Sequence, residues 1–219
     1  GAVPAPDPPP EAFGGRSISC GVRPGPAASA GSGRPAKGAG VVKRSIVLVG
    51  MMGAGKSAVG AELARRLGVS LRDTDAEIVR AAAMTIPEIF ARDGEAFFRA
   101  RESEVLARVL RGKPGIVSTG GGAWMSAENR AQVAARGVSV WLDVPLGVLW
   151  NRVRQRPTRP LLQTPDPRGT LARLLAERAP SYALAEITVP VRAENSVDDT
   201  AARVLEAIRT HRPEILEPA

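Results

Sequence analysis

Apolar residues take on a rhythm at about residue 42. From Val42 onward, short runs rich in β-branched and aliphatic residues alternate with longer stretches of helical character. "RSIVLVG", "VSLRD", "PGIVSTG", "GVSVWLD" and "EITVPV" predict five strands. Ser57 to Leu67 predicts the first helix, closed by Gly68, and helical segments reach from the second strand to about Leu110. Val197 to Thr210 predicts the last helix. Alternation of strands with helices implies parallel βαβ units, and therefore one doubly wound α/β domain over residues 41–219. No internal repeat is visible.

Residues 1–40 break this rhythm. Pro, Gly, Ala and Ser dominate "GAVPAPDPPPEAFGGRSISCGVRPGPAASAGSGRPAKGAG", and neither a helical nor a strand period survives. Such a segment buries too little apolar surface to offset its ordering entropy, so a disordered tail is expected. The alternative is an organellar transit peptide, since acids are few and Ser and Arg are present. The prolines would break the amphipathic helix that such a peptide needs.

Composition narrows the function classes. At 219 residues and 44% hydrophobic content, the chain can bury the core of one α/β domain. No apolar run approaches the roughly 20 residues that span a bilayer, so no membrane partner is expected. A single cysteine, Cys20, forbids an internal disulfide and makes a reducing cytoplasm the simplest setting. The formal charge is +8, and lysine occurs only at positions 37, 43, 56 and 113, so the other basic residues are arginines. A planar guanidinium suits phosphate and carboxylate. Nucleic acid is a poor match, because the arginines are spread along the chain and aromatic residues make up only 4%.

"GMMGAGKS", Gly50 to Ser57, follows the first strand and opens the first helix. This is the G-x-x-x-x-G-K-S pattern of a phosphate-cradling loop. Gly50, Gly53 and Gly55 let backbone N–H groups converge on phosphate oxygens at a helix N-terminus. Lys56 would reach the β- and γ-phosphates, and the Ser57 hydroxyl would ligate Mg2+. The loop does not say where the terminal phosphate goes. A GTPase is excluded by the lack of N-K-x-D, while Asp143 at the end of "VSVWLD" imitates the acidic residue of hydrolytic ATPases.

A more particular set lies elsewhere: "DTD" at 73–75, "GEAFFR" at 94–99, "STGGG" at 118–122, "TRPLL" at 158–162 and "ERAPSY" at 177–182. Taken in this order, the set resembles the shikimate kinase family from about Lys43 to Arg209. The resemblance implies a P-loop kinase with a lid, on a five-stranded parallel sheet of order 2-3-1-4-5 flanked by helices. It implies ATP-dependent phosphorylation of the 3-hydroxyl of shikimate with Mg2+, by a monomeric enzyme of aromatic biosynthesis.

By the same resemblance, Gly53, Ala54, Gly55, Lys56, Ser57 and Ala58 hold the nucleotide. Asp75 bonds the ring hydroxyls as base, and Asp73 lies near Mg2+ with Ser57. Asp73 or Asp75 could also cap the helix that starts there. Arg99 and Arg178 match the two positions that clamp the substrate carboxylate; alternatively Arg99 pairs along its helix with Glu95 or Glu102. Gly120, Gly121 and Gly122 admit the ligand to the backbone, with the Gly121 N–H meeting substrate. Phe90 and Phe98 match aromatic positions that pack near the ring and can equally be core residues, since the two readings are compatible. "RVRQRPTRPLLQTPDPR" resembles the lid, with Arg159 on phosphate and Arg152 stacked on adenine. Two departures stand out: Ala58 where the family usually has Thr, and Asn195 where many relatives carry an arginine. Rival readings are a related gluconate kinase, and a nucleotide-binding regulatory protein without catalysis.

Overall fold

The computed structural model describes residues 42–154 and 162–216. The tail expected over 1–40 and the lid arginine Arg159 lie outside them.

Strand β1 (Ser45–Val49) is buried at every position. It forms the centre of a sheet with β2 (Leu71–Asp73), β3 (Ile116–Ser118), β4 (Gly137–Asp143) and β5 (Ile187–Pro190). The order is β2-β3-β1-β4-β5 and every pairing is parallel, as expected for the family order. A parallel sheet covered on both faces needs continuous apolar strands, which explains why β1 and β4 are so plain in the sequence. The edge strand β5 alternates buried and exposed residues instead.

Around the sheet lie α1 (Lys56–Leu67), α2 (Thr74–Ala82), α3 (Ile86–Arg111), α4 (Ala127–Arg136), α5 (Leu146–Val153), α6 (Pro167–Tyr182) and α7 (Val197–His211). Helix α1 stops at Gly68 in the left-handed region, and α3 starts in a Thr85–Glu88 capping box. The helical stretch expected up to Leu110 is two helices, the second kinked at Gly94 (φ 81°, ψ 172°). A 3-10 turn, Ala123–Met125, follows β3. Val42 bridges to Leu216, and the Lys43 N–H donates to the Ile215 carbonyl at 3.0 Å, so the two ends of the described fold are tied.

Candidate active site

The carboxyl ends of β1, β2 and β3 converge on a cavity of about 550 Å3. Ligands of open α/β sheets bind at such ends. Residues 52–59 of the phosphate loop and α1, Asp73, Asp75, Ser118, Thr119, Gly121, Arg152 and the 195–197 turn line it. The loop takes its shape from Gly50, Gly53 and Gly55 at φ 138°, 82° and 95°, values that side chains strongly disfavour. Lys56 is curled back, donating to the Gly50 and Met51 carbonyls at 2.8 and 3.0 Å. Arg152 donates to the Gly53 and Ala54 carbonyls, both at 3.3 Å, and so lies on the loop.

Asp73 divides its two oxygens between two tasks. Oδ1 caps α2 by accepting from the Asp75 and Ala76 N–H groups, at 3.1 and 3.2 Å. Oδ2 accepts from the Ser57 hydroxyl at 2.7 Å, with the Ser118 hydroxyl 3.3 Å from the same Ser57 oxygen. Hard oxygen donors beside a phosphate loop fit Mg2+, which takes one or two protein ligands and fills the rest with water and substrate phosphate. Among the described residues no group of three or more His, Cys, Asp or Glu could hold an ion. Ser57 and Asp73 would leave most of the coordination shell of such an ion to water and phosphate oxygens.

The triple glycine has a physical reason that sequence does not disclose. A Cβ on Gly120 would stand 2.5 Å from Glu102 Oε1 and 2.6 Å from Asp75 Oδ1. One on Gly121 would lie 3.5 Å from the Met52 nitrogen and 3.7 Å from Arg178 Nη1, and one on Gly122 would collide with the Arg99 guanidinium. Much of the space left free by these glycines is therefore filled by the protein's own side chains. Arg99 makes both helical ion pairs considered above, to Glu95 at 3.1 Å and Glu102 at 2.8 Å. Arg178 Nη1 reaches the Gly121 carbonyl at 3.4 Å. Phe98 is buried with its ring centroid 4.8 Å from that of Phe90, so the core reading holds for Phe98.

Sequence reasoning gave Glu102 no role beyond an ion pair on the helix surface. It is 1% exposed and joins Arg99 to the Asp75 neighbourhood. Burial pushes its carboxyl above the ordinary glutamate range, the Arg99 guanidinium opposes that rise, and the Asp75 charge adds to it. Thr74 was also passed over; its hydroxyl accepts from the Gly120 N–H at 3.2 Å. Both lie one to three residues from motif positions, which was the available signal.

A family model described as shikimate kinase matches residues 52–209. The shikimate kinase of Cereibacter sphaeroides is 57% identical over 176 residues, covering 80% of this chain and 87% of that protein. That of Ruegeria pomeroyi is 54% identical over 180 residues, covering 82% and 92%. The solved shikimate kinase from Acinetobacter baumannii in complex with shikimate has a TM-score of 0.74 at 39% identity, covering 77% of this chain and 94% of that one.

The chain belongs to the shikimate kinase family. Within a shikimate kinase frame, the phosphate loop, Asp73, Asp75, Gly121 and Arg152 share one cavity, while Arg99 and Arg178 lie against the Gly120–Gly122 loop that borders it. The two departures sit on this cavity as well: Ala58 and Asn195 both line it. Asn195 accepts from the Arg192 N–H at 2.8 Å and so shapes the turn before α7.

Proposed function

We infer that this chain transfers the terminal phosphoryl group of ATP to the 3-hydroxyl of shikimate, giving ADP and shikimate 3-phosphate. The observation that carries this reading is the crowding of the glycine loop. Two carboxylates and two guanidiniums close on Gly120, Gly121 and Gly122, directly beside a phosphate loop. A ring with one carboxylate and three hydroxyls offers partners for that set: fork-like cations for the carboxylate and an acceptor for the hydroxyls.

Lys56 exchanges its two loop carbonyls for β- and γ-phosphate oxygens, and Arg152 covers the phosphate loop from the nucleotide side. Ser57 and Asp73 would hold Mg2+, which would supply positive charge to the phosphate oxygens. Arg99 and Arg178 fix the substrate carboxylate, and this turns the 3-hydroxyl toward the γ-phosphorus. Asp75 accepts the hydroxyl proton as the new O–P bond forms and the bond to the ADP oxygen breaks. Arg159 is assigned to the developing charge on phosphate, on resemblance alone.

The enzyme is further proposed to act as a monomer in the cytoplasm. No helix among the described residues is long and apolar enough to cross a membrane. The large apolar side chains left exposed among those residues, Phe97, Leu184 and Val197, belong to different parts of the chain. Light scattering on the purified protein tests the first point.

A coupled ADP-release assay with shikimate, with gluconate and without acceptor tests the activity. Shikimate alone should accelerate release. Equal rates in all three arms would remove the assignment, and acceleration by gluconate would redirect it.

A further inference from the structure

The three carbonyls of the glycine loop are pinned in different ways. The Gly120 carbonyl accepts from the Ala123 N–H at 3.2 Å, and the Gly122 carbonyl from the Met125 N–H at 3.0 Å. These are local backbone turns. The middle carbonyl, Gly121, is held by side chains from α6: the Tyr182 hydroxyl at 2.5 Å and Arg178 Nη1 at 3.4 Å. A peptide unit is planar and trans, so fixing the Gly121 carbonyl also fixes the Gly122 N–H on the opposite side.

Of the two bonds, the one from Tyr182, four residues on from Arg178 along the same helix, is far the shorter. It holds the middle peptide whichever of its five N–H donors Arg178 offers to a carboxylate. We propose that Tyr182 is a positioning residue for the acceptor: its hydroxyl holds the Gly121–Gly122 peptide and leaves Arg178 to the substrate carboxylate. The proposal rests on the acceptor site inferred above.

The surroundings of Tyr182 fit a fixed donor. Its side chain is fully buried, and its ring stacks with Trp141 at 6.0 Å between centroids. Its oxygen lies 4.0 Å from the Met51 sulfur in the phosphate loop. Burial raises the phenol to about 12, with the Arg178 charge opposing, so the hydroxyl remains a donor at any working pH. The last turn of α6 has a second tie to this loop, from Trp124 Nε1 to the Ser181 carbonyl at 2.9 Å, which does not involve Gly121.

Tyr182→Phe keeps the ring and removes the hydroxyl. The KM for shikimate should rise about three- to tenfold, the size expected for one lost hydrogen bond, while ATP affinity measured without acceptor stays within about twofold. Trp124→Phe cuts the neighbouring tie and serves as the structural control. It should lower Tm and leave the KM for shikimate within about twofold of wild type. An unchanged shikimate KM in Tyr182→Phe overturns the proposal, and so does an equal rise in both variants, which would signal a loosened loop. Arg178→Ala runs alongside. A higher shikimate KM there, with none in Tyr182→Phe, sinks the tyrosine and leaves the acceptor site standing. No rise in either sinks the acceptor site too.

Discussion

At Gly122 there is no room for a side chain, because the Arg99 guanidinium occupies the place where a Cβ would sit. The obstacle is the far end of a flexible side chain, so Gly122→Ala should fold and push Arg99 aside. Acceptor binding should weaken while Tm, followed by thermal denaturation, moves little; a large loss of Tm with an unchanged shikimate KM would contradict this. Arg99→Ala and Arg178→Ala attack the same interaction directly. Charge-assisted hydrogen bonds are typically worth about 1.5–3 kcal/mol, so shikimate affinity should fall roughly tenfold to a hundredfold in each. ATP affinity without acceptor should move far less, and calorimetric titration of both ligands separates the two effects. Lysine should rescue either arginine only partly, since an ammonium lacks the planar fork. At this scale the sequence was partly legible. The spacing of "DTD" placed Asp73 and Asp75 at a helix start, and the structure brings both to the cavity. Glu102 stayed hidden because an i,i+3 partner of Arg99 looks the same on an exposed face as on a buried one. Only tertiary packing reduces it to 1% exposure.

Helix α3 shows the same division between pattern and packing. Its apolar positions were legible as helix, but the break at Gly94 was not, since a glycine inside a helical pattern is usually tolerated. Gly94 lies at φ 81°, and a Cβ there would meet nothing within 4 Å. The cost of Gly94→Ala is therefore backbone strain alone, about 1–3 kcal/mol, and chemical denaturation should read it directly. Straightening the kink would also move the half that carries Phe90 relative to the half that carries Phe98, Arg99 and Glu102. The three-residue strands β2 and β3 are shorter than the runs that predicted them: β2 lacks Val69 and Ser70 at its amino end, and β3 lacks Pro114 and Gly115 there and Thr119 and Gly120 at the cavity end. Charged side chains tie α1 to α7. Glu62 accepts from Arg65 and Arg66, and Arg66 also bonds Asp198 at the start of α7. Hydrogen bonds from Arg65 and then Arg66 hold the Glu62 carboxyl at about 2, below its ordinary 4.5. A depressed carboxylate contributes stability that is present above the unfolded value and lost as pH falls through the folded one. The Tm advantage of wild type over Glu62→Gln should thus be full above pH 4.5 and gone near pH 2. A gap that is constant across that range would remove the ion pairs from the account.

At the scale of the whole molecule, the segment just before β1 decides where packing begins. The composition changes near residue 41, and the family match starts at residue 52. The structure supplies a finer criterion than either. Val42 is 4% exposed and bridges to Leu216, and Lys43 donates its N–H to Ile215, so the segment just before β1 belongs to the packed fold. Two truncations then differ sharply. Removing residues 1–40 spares every one of these contacts, and Tm and turnover with shikimate should match the full chain. Removing residues 1–43 deletes a buried valine and the backbone tie to the C-terminal segment. Burying a valine side chain is worth about 1.5–3 kcal/mol, so the longer truncation should lose about that much stability. For a domain of this size that is a fall in Tm of roughly 3–12 °C. Its kcat should change less than its Tm, because neither Val42 nor Lys43 lines the cavity. If the shorter truncation already lowers Tm or turnover, residues 1–40 are part of the working fold and the boundary read from composition is wrong. If the longer one costs nothing, the tie between Val42 and Leu216 does not hold the two ends together.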